Sequence, residues 1–142
     1  MTRFNIRQIT TTAAACAMLA LPAFADTLSY TAELTPGAVI PPADSSATGT
    51  ADVTVDTEAK TVSWVVTYDG LTGDPIAAHI HGPAAMDENA GPVIDMSEAL
   101  MEGSAEISDE QLGELEAGKY YVNVHTEKFP DGEIRGQLTV AE

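Results

Sequence analysis

A chain of 142 residues with 22 acidic side chains, six basic ones and a net charge of −16 repels phosphate backbones and anionic lipid, so binding to nucleic acid or to a membrane surface is disfavoured. The single cysteine, Cys16, lies in a segment that reads as removable, so the remainder is expected to lack disulfides, thiolate catalysis and cysteine–zinc sites. That segment comes first in the chain. Arg3 and Arg7 supply a short positive region, Ile9 to Leu21 is small and apolar without a charge, and Ala23-Phe24-Ala25 offers a small-x-small cleavage pattern. This predicts a signal peptide over 1–25, cut after Ala25, and a periplasmic or secreted protein. A membrane span would need about 20 strongly apolar residues, whereas this run is short and broken by Pro22. A lipid anchor on Cys16 is the alternative, but Cys16 lies inside the apolar run rather than at its end. Residues 26–142 would then hold four basic residues against all 22 acids, a charge of −18 with neutral histidine. A solvated acidic coat accounts for most of that charge.

Period-2 alternation dominates residues 26–142. Leu28 to Leu34 predicts a first strand, ended by Pro36, Gly37, Pro41 and Pro42. Ala51, Val53 and Val55 alternate with Asp52, Thr54 and Asp56. After a turn at 57–60, Val62, Trp64, Val66 and Tyr68 alternate with polar residues and Val65, completing a hairpin. Ile76 to His81 makes another strand, ended by Gly82-Pro83. Residues 84–103 are irregular apart from a short Val93-Ile94 piece, and Ser104 to Ile107 is a further strand candidate. Ser108-Asp109-Glu110-Gln111 has the form of a capping box opening a short helix to about Glu116. Tyr120 to Thr126 and Ile134 to Val140 close the chain as a hairpin around a Pro-Asp-Gly loop. About seven short strands with one helix predict a single all-β domain over 26–142, an antiparallel β-sandwich. Val53, Val62, Trp64, Val66, Val122, Val124 and Leu138 are its expected core.

Three histidines carry the chemistry. His79 and His81 are two apart and share one strand face, whereas Ala78 and Ile80 take the other. In the later strand Val122 and Val124 share a face, leaving Tyr121, Asn123 and His125 opposite. Both strands thus turn their aliphatic residues one way and their imidazoles the other, which places His79, His81 and His125 on an outer, solvent-reachable face. If Val122 faces Leu138 and Thr126 faces Ile134, then Arg135 lies directly across from His125, where it keeps the imidazole neutral or attracts a small anion. Neutral imidazole suits zinc, copper, nickel or iron, and without thiolates the stability order favours copper, with zinc the alternative. Three ligands leave an open position. The competing reading is that these rings hydrogen-bond loop carbonyls around Gly82-Pro83. Met86, Met96 and Met101 are either soft ligands or core fillers. Asp87, Glu88 and Asp95 lack the spacing of a calcium loop.

Ala78-His79-Ile80-His81-Gly82-Pro83-Ala84, Tyr121-Val122-Asn123-Val124-His125-Thr126 and Phe129-Pro130-Asp131-Gly132-Glu133-Ile134-Arg135-Gly136-Gln137-Leu138 resemble the CHRD domain, a module named from chordin and common in exported bacterial proteins. Tyr30-Thr31-Ala32-Glu33-Leu34 and Leu115-Glu116-Ala117-Gly118 fit as well, so the likeness spans nearly all of 26–142. A more distant resemblance is to copper–zinc superoxide dismutases, in which a His-x-His strand and a later Val-Val-His strand supply copper ligands on the outer face of a sandwich. It implies an immunoglobulin/superoxide-dismutase-like β-sandwich, with Arg135 similar to their late active-site arginine. The bridging histidine, the zinc-ligand histidines and the disulfide of those enzymes have no counterpart in this chain. Three functions remain open at this point: metal binding for storage, transfer or protection; a dismutase-like redox enzyme at the same site; and a non-metal interaction or adhesion module with a protein partner.

Overall fold

The computed structural model describes residues 26–142; the expected signal segment, with Arg3, Arg7, Cys16 and the Ala23–Ala25 cleavage pattern, lies outside them. Among the described residues nine strands form two antiparallel sheets facing one another, accompanied by one α-helix. The first sheet has the order β6-β3-β2-β1-β9, with β1 at Thr27–Leu34, β2 at Thr48–Asp56, β3 at Thr61–Asp69, β6 at Glu102–Glu106 and β9 at Thr139–Val140. The second has the order β5-β4-β7-β8, with β4 at Pro75–His81, β5 at Pro92–Asp95, β7 at Tyr121–Thr126 and β8 at Ile134–Gln137. The sandwich and its short helix are those expected. Among the described residues no helix is long and apolar enough to cross a membrane.

Alternation builds the first sheet. Tyr30, Ala32 and Leu34 of β1, Ala51, Val53 and Val55 of β2, and Val62, Trp64 and Val66 of β3 are buried. Their polar neighbours face away. The β2–β3 turn is fastened by Asp56, whose Oδ1 accepts from the amides of Glu58 and Ala59 at 3.0 and 2.8 Å. Trp64 satisfies its indole N–H on the carbonyl of Ala99 at 2.8 Å. A Cβ at the cross-strand Gly103 would collide with that indole, so only glycine lets β6 close over it. All seven expected core residues are buried.

Helix α1, Asp109–Glu116, starts at the expected capping box: Gln111 N donates to Ser108 Oγ and Ser108 N donates to Gln111 Oε1. Leu112 and Leu115 turn into the core. Met96 is buried there too, which settles it as a filler.

Two expectations about the C-terminal hairpin need correction. The single strand predicted over 134–140 is two strands in different sheets, β8 and β9. Leu138, wholly buried, inserts between the sheets, and the chain crosses there to pair Thr139 and Val140 with β1. The register is also two residues away from that predicted: Val122 pairs with Gly136, Asn123 with Arg135 and Val124 with Ile134, so His125 does not face Arg135. The cause is the connection between the strands. Thr126 and Phe129 exchange backbone hydrogen bonds, and Glu133 N then donates to Val124 O at 2.8 Å. The Glu133 carboxylate turns inward and is wholly buried. It accepts from Ser45 Oγ, Thr72 N, Thr72 Oγ1 and Thr126 Oγ1. A slip of two keeps every residue on its own face, so Arg135 stays on the histidine side but nearer Tyr121.

Candidate metal centre

β4 and β7 are adjacent antiparallel neighbours, and their register sets the site. His79 pairs with Asn123, His81 with Tyr121 and His125 with Ala77. His79 and His125 are therefore diagonal neighbours on the face turned away from the core, a separation that ring side chains span. The three rings meet there, with centroids 5.2 Å apart for His79–His125, 5.3 Å for His79–His81 and 5.8 Å for His81–His125. One ring nitrogen from each lies within 4.8 Å of the other two. Residues from distant parts of the chain converge as the strand faces predict.

The hydrogen bonds fix which nitrogen is which. His81 Nδ1 lies 2.9 Å from the carbonyl of Ala90, and His125 Nδ1 lies 2.9 Å from the carbonyl of Pro130. A carbonyl only accepts, so both Nδ1 atoms carry the proton and both Nε2 atoms keep a lone pair. His81 Nε2 is buried with no hydrogen-bond partner. His125 Nε2 is 3.3 Å from His79 Nδ1. On its other side His79 Nε2 is 3.9 Å from Asp95 Oδ1. Asp95 is held in turn by the amide of Ser97 at 2.9 Å. Hydrogen bonds from Ser97, side chain and backbone, put the Asp95 carboxyl below the ordinary range. Carbonyl or carboxylate partners on the far nitrogen are the usual means of orienting imidazole ligands.

These residues fit a small ion. Two nitrogens bound about 2.05 Å from one tetrahedral ion stand about 3.3 Å apart, the spacing already present between His79 and His125. Nitrogens on one ion cannot be more than about 4.2 Å apart, and tetrahedral geometry brings them to about 3.3 Å. The widest spacing, up to 4.8 Å, therefore closes by up to ~1.5 Å on binding through side-chain rotation. Burial lowers the pKa of His81, and His79, His125 and Arg135 lower it further against the opposing Ala90 hydrogen bond. Burial likewise lowers that of His125. Both rings are thus held in the neutral form that ligation requires.

Accessibility differs from expectation. His81 and His125 are each only 8% exposed, and only His79 is half open. The face does point away from the core, but the 82–91 and 127–133 loops roof it. Arg135 is also placed differently. It is 2% exposed and lies over the Tyr121 ring at 3.6 Å, and its donors are taken by Asn89 Oδ1, Glu88 O and Met86 O. An anion-attracting role beside His125 does not follow from that position. Met86 and Met101 are exposed, at 73% and 57%. The ligating group contains no carboxylate, so Asp87, Glu88 and Asp95 do not join it. Periodicity gives Tyr121 and Asn123 no role beyond the outward parity they share with His125, and the structure supplies one for each. Tyr121 stacks on His81 with ring centroids 4.9 Å apart and planes within 4°. Asn123 Nδ2 donates to Asp131 O, and the amide packs on Gly132, where a Cβ would collide with it.

The CHRD-domain family model matches residues 8–138 of the chain. The protein belongs to the CHRD-domain family. No curated protein and no solved structure matches this CHRD domain significantly. The three histidines, Tyr121, Asn123 and Arg135 all fall within the matched span.

Proposed function

We propose that this CHRD-domain protein binds one copper-type ion through His79 Nδ1, His81 Nε2 and His125 Nε2, as an exported protein that stores, transfers or protects the metal. The observation that carries the reading is the buried, unpartnered lone pair of His81 Nε2 beside two further imidazole nitrogens. An orphaned buried acceptor is costly unless something occupies it. An all-imidazole donor set without thiolate favours copper over softer-site metals, with zinc the alternative. Bound there, the ion supplies Lewis acidity or a one-electron couple. The chain itself holds His81 and His125 neutral, fixes their tautomers through the Ala90 and Pro130 carbonyls and restricts access through the two roofing loops. A dismutase-like reaction draws no support from Arg135, whose donors are engaged by the 86–89 backbone and Asn89. The test is metal analysis and copper titration of the purified protein. One equivalent bound, and lost on chelation without unfolding, supports the reading. Absence of stoichiometric metal refutes it and returns the protein to the class of non-metal interaction modules.

A further inference from the structure

We infer that Arg135 is the positioning residue for His81, acting through the Met86–Ala90 strap and the Tyr121 ring rather than on any ligand. The inference takes its functional meaning from the three-histidine metal reading, but its geometry stands without a metal.

Strap residues Met86 to Asn89 are exposed and Ala90 is half-buried. A surface segment of this kind offers moving carbonyls, and a moving carbonyl cannot fix an imidazole tautomer. Yet the carbonyl of Ala90 is the group that holds His81 Nδ1. Two buried side chains immobilise it. Arg135 Nη1 donates to Asn89 Oδ1 at 2.8 Å, and Nη2 donates to Glu88 O at 2.6 Å and Met86 O at 3.5 Å. The Tyr121 hydroxyl donates to Ala90 O and accepts from Ala90 N, each at 3.1 Å. The guanidinium face covers the Tyr121 ring, and that ring stacks on His81. His81 is therefore fixed twice, at its Nδ1 by the strap and at its plane by the stack, and both supports end on Arg135.

The residue type fits the task. A planar fork with five donors can bridge several acceptors of one segment while its face stacks on an aromatic ring, which an ammonium cannot do. Arg135 is buried with no carboxylate partner among the described residues. Desolvating a charge is costly, so packing alone would be better served by an uncharged side chain.

Nitrogen-15 NMR of the imidazoles in the metal-free protein tests this directly. In the wild type His81 should be a pure Nδ1–H tautomer with a slowly exchanging ring proton. In Arg135→Gln that proton should exchange at least about tenfold faster and the tautomers should mix, with a copper affinity about 10–100-fold lower, the usual scale for losing an outer-shell partner. His125, held by Pro130 from the other loop, should keep its wild-type signal. Arg135→Lys should not restore His81, because it keeps the charge but not the fork. Asn89→Ala removes one acceptor of the fork at an exposed position, so it should fold and shift His81 in the same direction by less. If Arg135→Gln does not fold, Asn89→Ala decides alone. The inference is overturned if His81 is unchanged in the variants that fold, or if His81 and His125 loosen equally. Since the tautomer is read without metal, failure of the wild type to bind copper would count against the metal reading and not against this one.

Discussion

The outward faces of the two sheets differ in kind, although both begin from the same alternation. In β2 every second residue is buried and its neighbours Thr50, Asp52 and Thr54 are exposed. In β7 all six residues from Tyr121 to Thr126 are buried. The inner halves of both strands obey one rule, apolar side chains against a common core. Their outer halves part because the first sheet meets water and the second meets loop backbone. A roofing loop brings carbonyls that need donors. Asn123, His125, His81, Tyr121 and Arg135 supply them, to Asp131, Pro130, Ala90, Glu88 and Met86. A polar residue facing outward is thus a solvated residue in one sheet and part of a built polar layer in the other.

Substitutions should separate the two regimes, and the core they share should respond most. Trp64→Ala removes a buried aromatic and should cost about 3–5 kcal/mol in denaturant unfolding. In the polar layer, replacing His79, His81 or His125 singly by Ala should weaken copper binding by at least about a hundredfold while circular dichroism stays that of the sandwich. Loss of fold in all three would mean that the layer supports the sheet rather than a site.

Glu133→Gln sharpens the comparison at the rim of the second sheet. Burial pushes the carboxyl pKa up, but hydrogen bonds from Ser45, Thr126 and Thr72 outweigh it, and the net position is below the ordinary value. An amide presents a donor where one of these donors now points, so unfolding experiments should show a loss of about 2–3 kcal/mol. In the wild type the contribution of this carboxylate is present above its unfolded pKa and lost as pH falls through the lower folded one. The variant should lose that acid-range dependence.

The histidines add a second pH window with the same sign. His81 and His125 have folded pKa values lowered from 6.5 by burial. As pH falls below about 6.5 the unfolded chain takes up protons before the folded one does. Stability of the metal-free protein should fall from there through the folded pKa values and be flat above. His81→Ala should flatten part of that slope. The smallest effect belongs to the wet face: Val65→Thr, on a side chain 47% exposed, should change stability by less than about 0.5 kcal/mol, whereas Asn123→Ala should cost about 1–2 kcal/mol by stranding the Asp131 carbonyl.

Legibility in the sequence divides along the same line. Strand positions, the Ser108 capping box, the core from Val53 to Leu138 and the common face of the three histidines all come from side-chain periodicity, a local property. Three features depend on where loops return, and periodicity carries no record of that. The register of β7 with β8 differs by two residues from the pattern's expectation because Glu133 is drawn inward by Ser45 and Thr72, far away in sequence. Residues 134–140 divide between sheets because Leu138 finds room in the core between them. Strand pairing alone puts Arg135 beside His125, whereas its fork belongs to Asn89, Glu88 and Met86. Copper and loop carbonyls are rival explanations of the histidines in the sequence. The two are compatible, since the carbonyls at Nδ1 of His81 and His125 are what leave a lone pair on both Nε2 atoms.

Pulsed electron paramagnetic resonance on the protein loaded with one equivalent of Cu(II) tests the central claim most directly, by counting the imidazoles around the ion. Three equatorial imidazoles in the wild type, falling to two in each of His79→Ala, His81→Ala and His125→Ala, is the predicted result. A spectrum dominated by oxygen ligands and unchanged by those substitutions would contradict it, and would assign the bound copper to the acidic surface instead.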